Sequence, residues 1–116
     1  MKRDFDLIRK ILLYVEENHK EGSLMINKLE DYDNQTLIFH CKLLKDQGLI
    51  EGRALEYLTP GNDDFQCFGL TSEGYEFLDK IRDNTKFKKA IKTIIDEGKD
   101  MTATVIAKVI EDQIGI

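Results

Sequence analysis

The sequence predicts a mainly α-helical domain of the α+β class with one small β-hairpin, and three observations lead there. Apolar residues recur at helical spacing in five separate stretches. Thr59-Pro60-Gly61-Asn62-Asp63-Asp64 holds the only proline, followed by glycine, and divides two short strand-like runs. Ahead of that turn, 34–52 reads as an amphipathic helix, a glycine stop and the first step of a strand.

The first helix spans about 4–19. Phe5, Ile8, Ile11, Leu12 and Val15 form a broad apolar stripe, widened by Leu7, Leu13 and Tyr14, as a central core helix requires. Asp4 can cap it, and Asp6 favours the positive end of its dipole. Lys2, Arg3, Arg9 and Lys10 cluster near this end, either as a solvated face or as a contact for backbone phosphates. Glu21-Gly22-Ser23 is a turn, and Leu24-Met25-Ile26 is a short strand expected to pair with the hairpin. The polar stretch 28–33 is too short for a helix of ordinary length, so a single turn or loop is expected around Leu29 and Tyr32.

Asp33 or Asn34 caps a helix over 34–47, with Leu37, Cys41 and Leu44 on one face. Gly48 ends it where a left-handed backbone is needed, and Leu49-Ile50 starts a strand over 49–58. Helix, glycine, Leu-Ile and strand is how a winged helix passes from its recognition helix into its wing. After the turn, 65–70 is the return strand, and Thr71-Ser72-Glu73-Gly74 opens a helix with Tyr75, Phe77, Leu78 and Ile81 on its apolar side. Asn84-Thr85 breaks that helix. Phe87, Ile91, Ile94 and Ile95 mark the next one, with Lys86, Lys88, Lys89 and Lys92 elsewhere on it and Gly98 at its end. A last helix over about 102–113 aligns Val105, Ile106, Val109, Ile110 and Ile114. The expected architecture is a winged helix-turn-helix domain over 1–83 and a helical extension over 84–116, packed on that domain or on a second copy as a homodimer.

A chain of 116 residues can bury a core without disulfides or metal. At 41% hydrophobic and 34% charged it fits a folded, charge-coated globule rather than a disordered chain. No apolar run is long enough to span a membrane, and the amphipathic pattern begins at once, so no signal peptide is expected. Two cysteines, Cys41 and Cys67, suit a reducing cytoplasm as buried free thiols. The formal net charge is −5. Residues 1–83 carry 11 Lys/Arg against 17 Asp/Glu, and 84–116 carry 6 against 5, so the winged-helix part is the acidic one. Proteins that hold DNA by phosphate neutralisation ordinarily show a basic face.

His40-Cys41-Lys42-Leu43-Leu44-Lys45-Asp46-Gln47-Gly48-Leu49-Ile50 resembles the recognition-helix end of arsenical-resistance-type repressors. More of the chain resembles a family of small phage-encoded and bacterial proteins catalogued as a domain of unknown function. The segments that carry this are Met1-Lys2-Arg3-Asp4 with Asp6-Leu7-Ile8-Arg9, then 40–52, then 70–82. The resemblance implies a winged helix-turn-helix with C-terminal helices, in prophages or firmicute-type genomes, and no established activity.

The expected function is a phage-derived, DNA-binding regulator or accessory factor. Helix 34–47 would enter the major groove of duplex DNA. The candidate contacts are Asn34, Gln35, Thr36, Ile38, Phe39, Lys42 and Lys45, with Arg53 on the wing. DNA-reading repressors place polar and basic groups where this chain has Ile38 and Phe39, which can touch a thymine methyl but donate no hydrogen bond. The alternative is a protein-interaction module in which Ile38 and Phe39 form an exposed apolar anchor for a protein partner. Exposure of those two side chains separates the readings. No cofactor and no enzymatic activity are expected, since no Ser-His-Asp grouping, phosphate loop or catalytic-cysteine signature is present. His40 and Cys41 are adjacent and point roughly 100° apart on a helix, so no metal site is expected either.

Overall fold

The computed structural model describes residues 3–27, 29, 31–56 and 63–114, the side chain of Ile114 excepted. The order of elements is α1 (Phe5–Asn18), β1 (Leu24–Met25), α2 (Asn34–Asp46), β2 (Ile50–Leu55), β3 (Asp64–Leu70), α3 (Ser72–Ile81), α4 (Asn84–Glu97) and α5 (Ala103–Ile114). This is a helix-rich α+β fold, and its layout is consistent with a winged helix. The turn expected over 59–64 falls largely outside the described residues.

Local chemistry explains most boundaries. Asp4, Asp33, Thr71 and Asp83 each accept a backbone N–H in the first turn of the helix that follows. Gly98 ends α4 at φ 68°, a conformation that costs other residues energy. Between β1 and α2, Tyr32 N–H donates to the Leu29 carbonyl, the single turn that the short segment allows.

The sheet is antiparallel, in the order β1-β3-β2. Between Glu51 and Gly52 the register shifts and leaves Phe68 as an extra residue on β3, its side chain 43% exposed. Phe65, Cys67 and Ile50 face inward, onto α1 and α2. Arg53 and Gln66 pair across the outer face.

One continuous core runs from Leu7, Ile11 and Leu12 of α1 through Leu37 and Leu44 of α2 to Ile106, Val109 and Ile110 of α5. The C-terminal helices therefore pack on their own chain. Ile106, Val109 and Ile110 of α5 are buried, with α3 and α4 as its neighbours, and Val105 is half-buried. Gln47 at the end of α2 accepts the Ala103 N–H at 3.0 Å, which ties the start of α5 to the central helix. No helix among the described residues is long and apolar enough to cross a membrane.

Cys41 and Cys67 are free and buried, on facing elements. Burial, with a smaller contribution from Cys67, pushes the Cys41 thiol from 9.0 up to about 12. Above pH 9 the unfolded chain gives up this proton while the folded chain keeps it, so stability falls as pH rises. The slope is about 1.4 kcal/mol per pH unit for one such thiol. Urea midpoints measured between pH 9 and 10.5 are expected to fall more steeply for the native chain than for Cys41→Ala. Parallel falls would show that the thiol ionises freely in the fold.

Candidate nucleic-acid interface

Helix α2 lies between α1 and the sheet, and that position decides which of its side chains reach solvent. Leu37, Cys41 and Leu44 form the inner row as the spacing requires. The buried arc is wider than that row, because two surfaces close on the helix. Ile38, 6% exposed, is drawn in on one side, and His40, fully buried, on the other. Ile38 is thus a core residue and not an outward contact, which corrects both roles expected of it. Phe39 is half-buried, its ring edge-on to the His40 ring at 5.2 Å between centroids.

His40 has a structural task. Its Nδ1–H donates to the Thr36 carbonyl at 2.7 Å, and its Nε2 accepts the Asp4 backbone N–H at 2.7 Å. The Asp4 carboxylate meanwhile accepts from Leu7 N–H. In an ordinary capping box a Glu or Gln three residues downstream would return to the cap N–H. Position 7 is a buried leucine, and His40 supplies the missing acceptor from the neighbouring helix.

The other expected contacts are distributed as follows. Gln35, Lys42 and Lys45 are exposed. Thr36 is half-buried. Asn34 is half-buried, and its amide donates to the Asp63 carbonyl, so it ties α2 to the hairpin rather than pointing outward. Arg53 is exposed on β2, with Nε donating to Gln66 Oε1 at 2.8 Å. The outward row of α2 is therefore Gln35, Phe39, Lys42 and Asp46, at positions that recur on one helix face. Lys42 Nζ lies 3.9 Å from Glu56, an exposed and weak pairing.

At the start of α2 the Asp33 carboxylate accepts the Thr36 N–H at 2.8 Å. Bonds from the Thr36 backbone and hydroxyl hold its carboxyl below the usual carboxylate range. A negative charge already occupies that helix end, so an incoming phosphate gains nothing there.

The described members of the N-terminal basic cluster make contacts within the chain. Arg9 donates from Nε and Nη2 to the carbonyls of Ile81 and Arg82, closing the C-terminal end of α3. Lys10 sits 5.5 Å from the Tyr32 ring centroid. Arg3 donates to the Met101 carbonyl at 3.3 Å, and Lys2 lies outside the described residues. The partners of Arg9 and Arg3 are more than seventy residues away in the chain, beyond any local pattern.

The family model described as "Hypothetical protein (DUF2513)" matches residues 2–100. The chain belongs to the DUF2513 family. A Haemophilus influenzae (strain ATCC 51907 / DSM 11121 / KW20 / Rd) relative, described as an uncharacterized protein, is 37% identical over 110 residues, covering 94% of this chain and 92% of the relative. No solved structure matches. The matched stretch includes the whole of α4.

Proposed function

We propose that this DUF2513 chain is a winged-helix, nucleic-acid-binding regulator or accessory factor of phage-derived origin, with α2 as the helix that enters the major groove. The supporting observation is the inward position of Ile38. With Ile38 in the core, the outer row of α2 presents Gln35 and Lys42. Glutamine can bond an adenine edge in bidentate fashion, and lysine can neutralise a flanking phosphate. The competing reading, a protein-interaction module anchored on exposed Ile38 and Phe39, loses one anchor to the core and half of the other.

The test is selection of duplexes from a random pool at low salt, followed by affinity measurements on the recovered sequence. Gln35→Ala is expected to relax the preference at one base pair, at a cost of about 1–3 kcal/mol on the preferred site. Lys42→Ala with Lys45→Ala is expected to weaken all sequences and lower the slope of log K against log salt by about 2. Absence of duplex binding at low salt overturns the reading.

A further inference from the structure

The chain is acidic and its wing region is acidic, yet binding to nucleic acid requires cations that can meet phosphate. Most described cations near α1 and α3 are already engaged. Arg9 closes a helix end, Arg82 pairs with Glu16 and Asp79, and Lys80 pairs with Glu111. Helix α4 differs. Lys86, Lys88, Lys89 and Lys92 are all exposed, and none takes part in an ion pair or side-chain hydrogen bond among the described residues.

We propose that the outer face of α4 holds the sugar–phosphate backbone of a nucleic acid, through Lys88, Lys89 and Lys92 with Lys86 at the margin. Phe87, Ala90 and Ile94 fix the inner side of the helix in the core, which turns these lysines outward together. Lys88 and Lys92 are one turn apart, as are Lys86 and Lys89, so they form two adjacent rows. The stretch 86–92 rises about 9 Å along the helix axis, over which duplex DNA carries roughly five phosphates. The contact is made by side chains and not by the helix end, because Asp83 already accepts the Thr85 and Lys86 N–H groups.

A convex helix surface suits a phosphate backbone, which needs no cleft. An acidic peptide would seek the groove of about 510 Å³ beside α4, lined by Phe5, Phe87, Ile91 and Lys88. Arg3, Asp4 and Asp6 also line that groove, so two carboxylates offset its two cations and an acidic peptide finds no net attraction there. The acidic residues of α4, Asp96 and Glu97, lie in its last turn; Asp96 stands one turn beyond Lys92 on the same row, so it bounds the cationic surface at 86–92.

The inference rests on the reading that the chain meets nucleic acid, and not on which helix reads the bases. The experiment compares the full chain with Lys88→Gln/Lys89→Gln/Lys92→Gln on a labelled 20-base-pair duplex, across a salt series, with polyglutamate as a second probe. Glutamine keeps helix propensity, so the thermal midpoint should not move. The triple variant is expected to lose roughly eightfold in duplex affinity per contact near 0.1 M salt and to reduce the salt slope by about 2.7. A loss confined to this variant, with Lys42→Ala/Lys45→Ala unchanged, supports the α4 surface and counts against α2 as the reading helix. Duplex binding equal to that of the native chain at every salt overturns the inference and leaves the α2 reading standing. Loss of polyglutamate binding with duplex binding intact overturns it in favour of an acidic protein partner. A native chain that binds no duplex overturns both.

Discussion

Replacing Gly74 by alanine is expected to lower stability by about 3 kcal/mol or more, and the thermal midpoint by roughly 15 °C. Helix propensity alone predicts the opposite sign, since alanine is favoured over glycine by about 1 kcal/mol within a helix. What decides the sign is the approach of another backbone. A methyl group on Gly74 would overlap the Leu49 carbonyl oxygen, and would lie 3.0 Å from its carbonyl carbon and 3.3 Å from Thr71 Oγ1. None of these atoms is free to move. The Leu49 carbonyl accepts the Thr71 N–H at 3.1 Å. The Thr71 hydroxyl donates to the Gly48 carbonyl at 2.5 Å and accepts the Gly74 N–H at 2.9 Å. The end of α2 and the start of α3 are thereby locked together at the base of the hairpin. Thermal and urea unfolding check the expectation, with Ser72→Ala, an exposed neighbour, as a control expected within about 0.5 kcal/mol. A Gly74→Ala chain as stable as the parent would mean that the two backbones can separate without cost.

His40→Leu is expected to cost about 3 kcal/mol. Leucine restores much of the buried volume but accepts no hydrogen bond, so the Asp4 N–H loses its partner among the described residues at the entrance to α1. An unmet donor there costs about 1–3 kcal/mol, and the change of side-chain shape in a closed core adds to it. Amide hydrogen exchange gives a local readout. Protection of the Asp4 amide should disappear in the variant, whereas a mere packing defect would leave it in place.

The parts of this fold legible in the sequence are those whose causes are local. Asp4 caps the helix that its side chain reaches within three residues, and Gly98 stops α4 because its own backbone must turn. The short stretch before α2 excludes a full helix on length alone. The stretch 70–82 carries the family resemblance, but the contact that demands Gly74 is not readable from it, because the Leu49 carbonyl lies between α2 and β2, more than twenty residues away in the chain. Ile38 misleads for a similar reason. A single apolar row can be counted from spacing, whereas the width of the buried arc depends on how many neighbours close on the helix. The same holds for Arg9, whose charge suggests solvent or phosphate and whose partners are the carbonyls at the far end of α3. Of the candidate interface, Gln35, Lys42 and Lys45 were legible because polar residues opposite a leucine row face outward. The α4 lysines were visible as a run. That they stand unengaged, while most cations around α1 and α3 have partners, needed the fold.

The bond from His40 to the Asp4 N–H also bears on the order in which the chain can mature. It joins points 36 residues apart, so during synthesis the entrance of the first helix stays unfinished until the second has left the ribosome. Early helix formation on the nascent chain should therefore begin in the middle of the first helix and reach its amino-terminal end last.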